Sequence, residues 1–292
     1  MIFMEHTNNM IVLSHFQIRE ILDALKKNKN SVRVSLDLGL SESELLIEND
    51  KVFFPNSNYL SLEQLNELKD EDRFCFLLEE NSLRRIAFFS EETNLFYKLL
   101  PTEEAPTFEI SGIRMHCLKG TKPFDNAKKL IGFLKPKGIV LDTCTGLGYT
   151  AINIARKREV NKVITVEKDK NVIRLMRFNP WSKELFFNKK IKIIFNAVES
   201  FVEETPNEKF DAIMHDPPSL KIAPELYSRG LYKNFYRILK NKGKLCHYIG
   251  RPGVKRGIDF EKKTIRRLRE AGFSRIIKNE KAQSLLAFKD NN

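Results

Sequence analysis

Three short stretches carry the residue types that could do chemistry. In Val140-Leu-Asp-Thr-Cys-Thr-Gly-Leu-Gly-Tyr-Thr150, an apolar run ends on Asp142, and Gly146 and Gly148 follow Thr145 one residue apart. A strand that stops at such glycines and opens a helix at Tyr149 or Thr150 leaves unpaired N–H groups at the helix start. The missing Cβ atoms let a ligand come close to that backbone, which makes the stretch a nucleotide-cofactor turn. Taken alone, the spacing Gly146-x-Gly148-x-x-Ala151 also suits a dinucleotide fold. The second stretch, Val163-Ile-Thr-Val-Glu167, closes on an acid 21 residues after Gly146. A carboxylate there can accept two hydrogen bonds from ribose hydroxyls; Lys168 follows it. Asn196-Ala197, at the end of the next apolar run, is placed to meet an adenine edge.

The third stretch is Phe210-Asp-Ala-Ile-Met-His-Asp-Pro-Pro-Ser219. Pro217 and Pro218 hold the chain extended and free the Asp216 carbonyl from ladder pairing. That carbonyl and the Asp216 carboxylate can both accept hydrogen bonds from a planar amino group or ring N–H. Such bonds hold a nitrogen while it attacks an electrophilic methyl in line. His215 stands beside Asp216 and is either a general base or a neutral packed histidine. Trp181, in Asn179-Pro-Trp-Ser182, and Ser219 are candidate acceptor contacts. Arg251, Lys255 and Arg256, in the glycine-rich run Ile249–Gly257, suit a substrate phosphate.

The elements that must position these residues alternate. Strands are expected at Gly138–Asp142, Lys162–Glu167, Ile191–Phe195, Phe210–His215, Gly243–Ile249, Arg275–Asn279 and Ser284–Lys289. Helical patterns separate the first six, and a hairpin ends the chain. This implies an α/β, doubly wound, mostly parallel seven-stranded sheet, with cofactor and acceptor meeting at its strand ends. The catalytic part covers 120–292 and is led in by a helix over Asp125–Leu134. Residues 1–119 read as a smaller α+β accessory domain. It has a helix over Phe16–Lys27, a strand over Ser31–Leu38, and strands at Glu44–Ile47 and Val52–Phe54 around Asn49-Asp50. Ser61 begins a helix with a capping box to Gln64. A hairpin of Phe74–Leu78 with Arg85–Phe89, a helical turn at Leu95–Leu100 and a strand over Pro106–Met115 complete it.

Charge divides along the same line. Residues 1–119 hold 13 Lys+Arg against 20 Asp+Glu, and residues 120–292 hold 37 against 18, within a total of +12. A basic catalytic half is expected to attract a polyanion, and the acidic half is not. Apolar residues make up 42 %, enough for a core, and no run reaches the ~18 apolar residues of a membrane helix. No signal peptide is expected, and the four cysteines form no C-x-x-C pair, so neither a metal nor a disulfide is expected. A cytoplasmic protein is the expectation.

Asp142-x-x-x-Gly146-x-Gly148, Glu167 and Asp216-Pro-Pro-Ser219 together resemble the class I S-adenosyl-L-methionine-dependent methyltransferases. Val34-Ser-Leu-Asp-Leu-Gly-Leu40 and Pro106-Thr-Phe-Glu-Ile-Ser-Gly-Ile-Arg-Met-His116 extend the likeness over the whole chain, to a family of predicted archaeal methyltransferases. The resemblance implies S-adenosyl-L-methionine as cofactor and Asp216-Pro217 as the acceptor-holding loop. Enzymes that methylate amino groups of bases usually carry an aromatic residue after the prolines, to stack on a flipped base. Ser219 stands there instead, as in some ribosomal RNA methyltransferases, which leaves Phe178, Trp181 or Tyr227 to supply a ring. The expected reaction is methyl transfer to a nitrogen of an RNA base, in tRNA or rRNA. Aminopropyl transfer to a polyamine, NAD-dependent oxidation and non-enzymatic RNA binding are the rivals.

Overall fold

The structure is a computed structural model and describes residues 10–250 and 260–290. The chain divides into two compact units. The first contains residues 1–123 together with 171–183, and the second contains 124–170 and 184–292.

In the first unit, β1 (Val12–Leu13) leads into α1 (His15–Lys26), started by a capping box. The Ser14 hydroxyl accepts the Phe16 N–H, and Gln17 Oε1 accepts the Ser14 N–H at 3.0 Å. Ile18, Ile21 and Leu22 are buried along one helix face. β2 (Ser31–Val34), β3 (Ser43–Glu48), β4 (Lys51–Phe53) and β5 (Tyr59–Ser61) form an antiparallel sheet in that order. The expected strand to Leu38 stops at Val34. The Asp37 carboxylate draws in the Ser35 hydroxyl and the N–H groups of Leu40 and Ser41, and Leu38 turns to φ +57°. This local side-chain to backbone bonding outcompetes the ladder. The Ser61/Gln64 capping box forms as expected and opens α2 (Leu62–Leu68).

β6 (Phe76–Glu79) and β7 (Ser82–Arg85) pair through a Glu80-Asn81 turn with both residues at positive φ, and β1 joins them. β8 (Ala87–Ser90) does not continue that hairpin. It starts a second meander with β9 (Leu95–Leu100), β10 (Thr107–Ile110) and β11 (Ile113–Arg114). Two expectations fail here. Leu95–Leu100 is a strand, because Lys98, which breaks the apolar alternation, lies opposite Glu109 on β10 and pairs with it at 2.9 Å. Pro106–Met115 is a hairpin, turned at Ser111-Gly112 with φ +44° and +85°. The segment 171–183 joins this unit through a hydrogen bond from Asn171 to the Ser90 hydroxyl and a guanidinium of Arg174 4.1 Å over the Phe88 ring.

The second unit begins with α3 (Pro123–Leu134), followed by β12 (Gly138–Asp142), α4 (Tyr149–Ala155) and β13 (Val160–Glu167). α5 (Lys170–Phe178) follows β13. Then come α6 (Glu184–Phe187), β14 (Ile191–Phe195), α7 (Val198–Glu204), β15 (Phe210–His215), α8 (Arg229–Ile238), β16 (Leu239–Tyr248), α9 (Phe260–Glu270), β17 (Arg275–Asn279) and β18 (Ser284–Phe288). The sheet order is β14-β13-β12-β15-β16-β18-β17. All pairs are parallel except those of β18, which runs antiparallel to both neighbours. This is the doubly wound seven-stranded sheet expected. Strand order reverses between β12 and β15, so the crevice beyond their carboxyl ends is where such a sheet takes its ligand. Gly138, at φ +67°, starts β12 where a Cβ would lie 2.3 Å from Asp211 Oδ2, the atom that accepts the Ile139 N–H.

Candidate active site

β12 ends on Asp142, fully buried and level with Thr165 on β13 and Met214 on β15. Its Oδ2 accepts the Thr165 hydroxyl at 2.6 Å, while its Oδ1 has no hydrogen-bond partner. Past the strand, the chain keeps both neighbours. Thr143 N–H reaches the Met214 carbonyl, and Thr145 N–H the Val166 carbonyl. The Thr145 hydroxyl lies 2.7 Å from that of Thr165. This holds Gly146 (φ +54°) against the tip of β13, where its N–H donates to Glu167 Oε2 at 3.1 Å. Glu167 Oε1 accepts the Asp169 N–H. Gly148 caps α4 at φ +79°, a conformation that favours glycine, and a Cβ on it would fall 2.2 Å from Leu185 Cδ1 on α6.

The Asp216 loop follows β15. Pro217 is buried, and the Pro218 carbonyl accepts the Tyr227 hydroxyl at 2.8 Å, which braces the loop. Asp216 is half-buried and makes no ion pair or hydrogen bond among the described residues. Burial pushes Asp142, Glu167 and Asp216 each up to about 7. The Thr165 and Thr150 hydroxyls restrain Asp142, and the charges of Asp216 and Glu167 raise it further. No described Lys or Arg pairs with any of the three. A cluster of buried carboxylates without a counter-charge suits a cationic ligand.

Several sequence-predicted residues come together here: Asp142, Thr145, Gly146 and Gly148 on the loop, and Glu167 at the next tip. Lys168 pairs with Glu225 at 3.3 Å, and Asn196 N–H donates to the Glu167 carbonyl. The Asn196 side-chain oxygen is taken by the Ala197 N–H at 2.8 Å, which leaves its NH2 for a ligand. Tyr149 turns its ring into the core, edge-on to Phe124, and offers the crevice only backbone.

His215 corrects an expectation. It is fully buried, with Nδ1 2.7 Å from the Thr143 hydroxyl and Nε2 2.9 Å from the Leu226 carbonyl. Burial lowers it to about 4, so it is a neutral packing residue with both nitrogens committed, not a base. Trp181 belongs to the first unit, where its indole N–H donates to the Leu38 carbonyl. Phe178 lies in that unit too, under the Arg84 guanidinium, and Tyr227 is buried beside His215. Ser219 is exposed and its carbonyl closes the turn to Ile222 and Ala223. Arg251, Lys255 and Arg256 lie outside the described residues. Thr143 and Thr165 are supports that sequence reasoning did not assign, and Tyr227, expected as a stacking ring, braces the Pro218 carbonyl instead. A threonine inside a strand and a tyrosine in a loop carry no pattern until their partners are known.

The tips of β12 and β13, the glycine loop and the loop after β15 are those of a class I methyltransferase. Comparison with known proteins agrees. Residues 153–280 match the family described as S-adenosyl-L-methionine-dependent methyltransferase. The chain is 35 % identical over 287 residues to the uncharacterized protein MJ1233 of Methanocaldococcus jannaschii, covering 96 % of this chain and 97 % of that one. It is 28 % identical over 119 residues to the polyamine aminopropyltransferase of Saccharolobus solfataricus, 39 % of each chain. The fold is similar to spermidine synthase from Thermotoga maritima, with a TM-score of 0.55, 20 % identity, and coverage of 70 % of this chain and 71 % of that one. Over residues 153–280 the chain is a member of the S-adenosyl-L-methionine-dependent methyltransferase family, and over its whole length it belongs with MJ1233.

The site fits that cofactor by charge. The carboxylates, without a counter-charge among the described residues, would hold a sulfonium and an ammonium, and Glu167 at the tip of β13 would hold a ribose diol. Bound there, S-adenosyl-L-methionine supplies an electrophilic methyl group.

Proposed function

We propose that the protein methylates a nitrogen of an RNA base, in tRNA or rRNA. The observation that carries this is Asp216, a half-buried carboxylate with no partner among the described residues, followed by a braced proline pair. Asp216 and its carbonyl orient an acceptor N–H so that the nitrogen lone pair faces the methyl. Asp216, whose carboxyl is pushed up to about 7, would take the proton that the acceptor nitrogen gives up on receiving the methyl the cofactor would supply. Proximity and exclusion of water supply most of the barrier reduction. The proposed holders of the cofactor are Asp142, Thr145, Gly146, Gly148, Glu167, Lys168 and Asn196, with the backbone of Tyr149 and Ala197. RNA as partner is supported by the 37 Lys+Arg against 18 Asp+Glu of residues 120–292. Arg251, Lys255 and Arg256 extend the acceptor side of this reading. All four cysteines are free, which favours a reducing, cytoplasmic setting; no described helix is long and apolar enough to cross a membrane.

Aminopropyl transfer to a polyamine is the second reading. It is favoured by the fold shared with spermidine synthase and by the acidity of the crevice. One experiment separates the two. The protein is incubated with S-adenosyl-L-methionine or its decarboxylated form, with RNA from cells lacking the protein or with a polyamine. Release of S-adenosylhomocysteine with a methylated nucleoside in the RNA digest is the expected result. Methylthioadenosine formed only with the decarboxylated donor and polyamine would overturn it.

A further inference from the structure

A groove lies on the other side of the second unit's sheet from α8 and α9, along the strands farthest from β14. Its volume is about 510 Å³, and Lys129, Phe133, Lys135, Lys244, Lys281 and Phe288 are among its lining residues. Register explains the floor. Lys244 on β16 is level with Phe288 on β18, which is level with Arg275 on β17. The next row on the same face is Cys246, Leu286 and Ile277. Arg275 lays its guanidinium 3.9 Å over the Phe288 ring. α3 supplies Lys129, and the β17–β18 turn supplies Lys281.

No carboxylate among the described residues lines this groove. Lys244 is half-buried, and burial lowers its pKa, followed by the charges of Lys137 and Lys135. Its ammonium bonds only the Lys135 carbonyl, at 2.8 Å. The contrast with the other embedded lysines decides the reading. Lys98 pairs with Glu109, Lys240 with Asp211 and Lys289 with Glu208. Lys135, Lys137, Lys244, Lys281 and Arg275 have no carboxylate partner among the described residues. A partly desolvated ammonium held among other cations is unfavourable unless an anion completes it.

We propose that this groove binds the phosphodiester backbone of a nucleic acid. Cations spaced along a channel that Phe133 and Phe288 also line match a chain that repeats a phosphate beside an aromatic base. This rests on RNA as the acceptor and adds a docking surface to which Asp216 contributes nothing.

The test uses the full-length protein, a labelled 20-nucleotide single-stranded RNA, and polyglutamate of equal charge as competitor. Lys135→Glu with Lys281→Glu reverses two exposed charges, and a thermal melt checks folding. The double variant is expected to weaken RNA binding about ten-fold or more at moderate salt and to lower the salt slope by about 2, with cofactor affinity unchanged. RNA affinity and slope equal to wild type would overturn the groove, as would polyglutamate binding as tightly with the same sensitivity. Methyl transfer to RNA, followed in parallel, separates the two ideas. RNA methylated by wild type but bound alike by the variant sinks the groove alone. Groove-dependent RNA binding without RNA methylation sinks the acceptor assignment alone.

Discussion

At the tips of β12, β13 and β15, Asp142, Glu167 and Asp216 stand without a described cation. Along β16, β18 and β17 of the same sheet, Lys244, Lys281 and Arg275 stand without a described carboxylate partner. Elsewhere in the molecule embedded charges are paired, as Lys98 with Glu109 and Lys289 with Glu208 show. Unpaired charge of either sign lowers the stability of the folded chain, so a protein that carries both in separate places leaves each for a ligand of the opposite sign. A cationic cofactor fits the first place and a polyanion the second.

This contrast breaks most visibly at Asp216. Asp216→Ala is expected to lower the turnover of methyl transfer by about 10²–10³-fold with cofactor affinity little changed, read by single-turnover kinetics. Full activity would remove Asp216 from the acceptor side. Glu167→Gln comes next. Losing a charge-assisted bond of about 1.5–3 kcal/mol should weaken cofactor binding roughly 10- to 100-fold, read by calorimetry, and leave RNA affinity as it was.

The pH dependence sharpens the carboxylate half. The tip carboxylates, raised to about 7, favour their protonated forms in the ligand-free protein. Stability from these groups is therefore full below about pH 4 and declines as pH rises through about 7. A cation reverses the preference, so cofactor affinity should rise about ten-fold or more between pH 5 and pH 8, with protons released. Calorimetry in buffers of different ionisation enthalpy measures this. Proton uptake would contradict it. His215, lowered to about 4, works the opposite way and contributes stability that fades as pH falls from about 6.5 toward 4.

The smallest effect belongs to the groove. Lys244→Met removes an unmatched cation and keeps most of the volume. It should raise stability by roughly 0.5–1 kcal/mol in urea titrations while weakening RNA binding. A loss of stability instead would mean that the bond to the Lys135 carbonyl matters more than the repulsion around it.

Residue types alone revealed the strand tips, because each tip residue ends its own apolar run. Parallel strands then bring Asp142, Glu167 and Asp216 together without further information. The α1 and α2 capping signals were legible for the same local reason. Leu95–Leu100 was misread because Lys98 breaks the apolar alternation, and only its pairing with Glu109 on β10 accounts for it there. Pro106–Met115 hid a turn whose Ser111 takes positive φ only within a paired hairpin.

By itself, then, the sequence determined the alternating sheet, the glycine loop and the acids at its edge, since strand ends and turns are properties of neighbouring residues. Tertiary structure alone decided that His215 is locked between Thr143 and Leu226, that Tyr227 props Pro218, and that lysines from α3, β16 and the last hairpin line one groove. Those facts depend on register and packing between residues as far apart in the chain as Lys129 and Lys281, and no local pattern encodes which distant partner a side chain will meet.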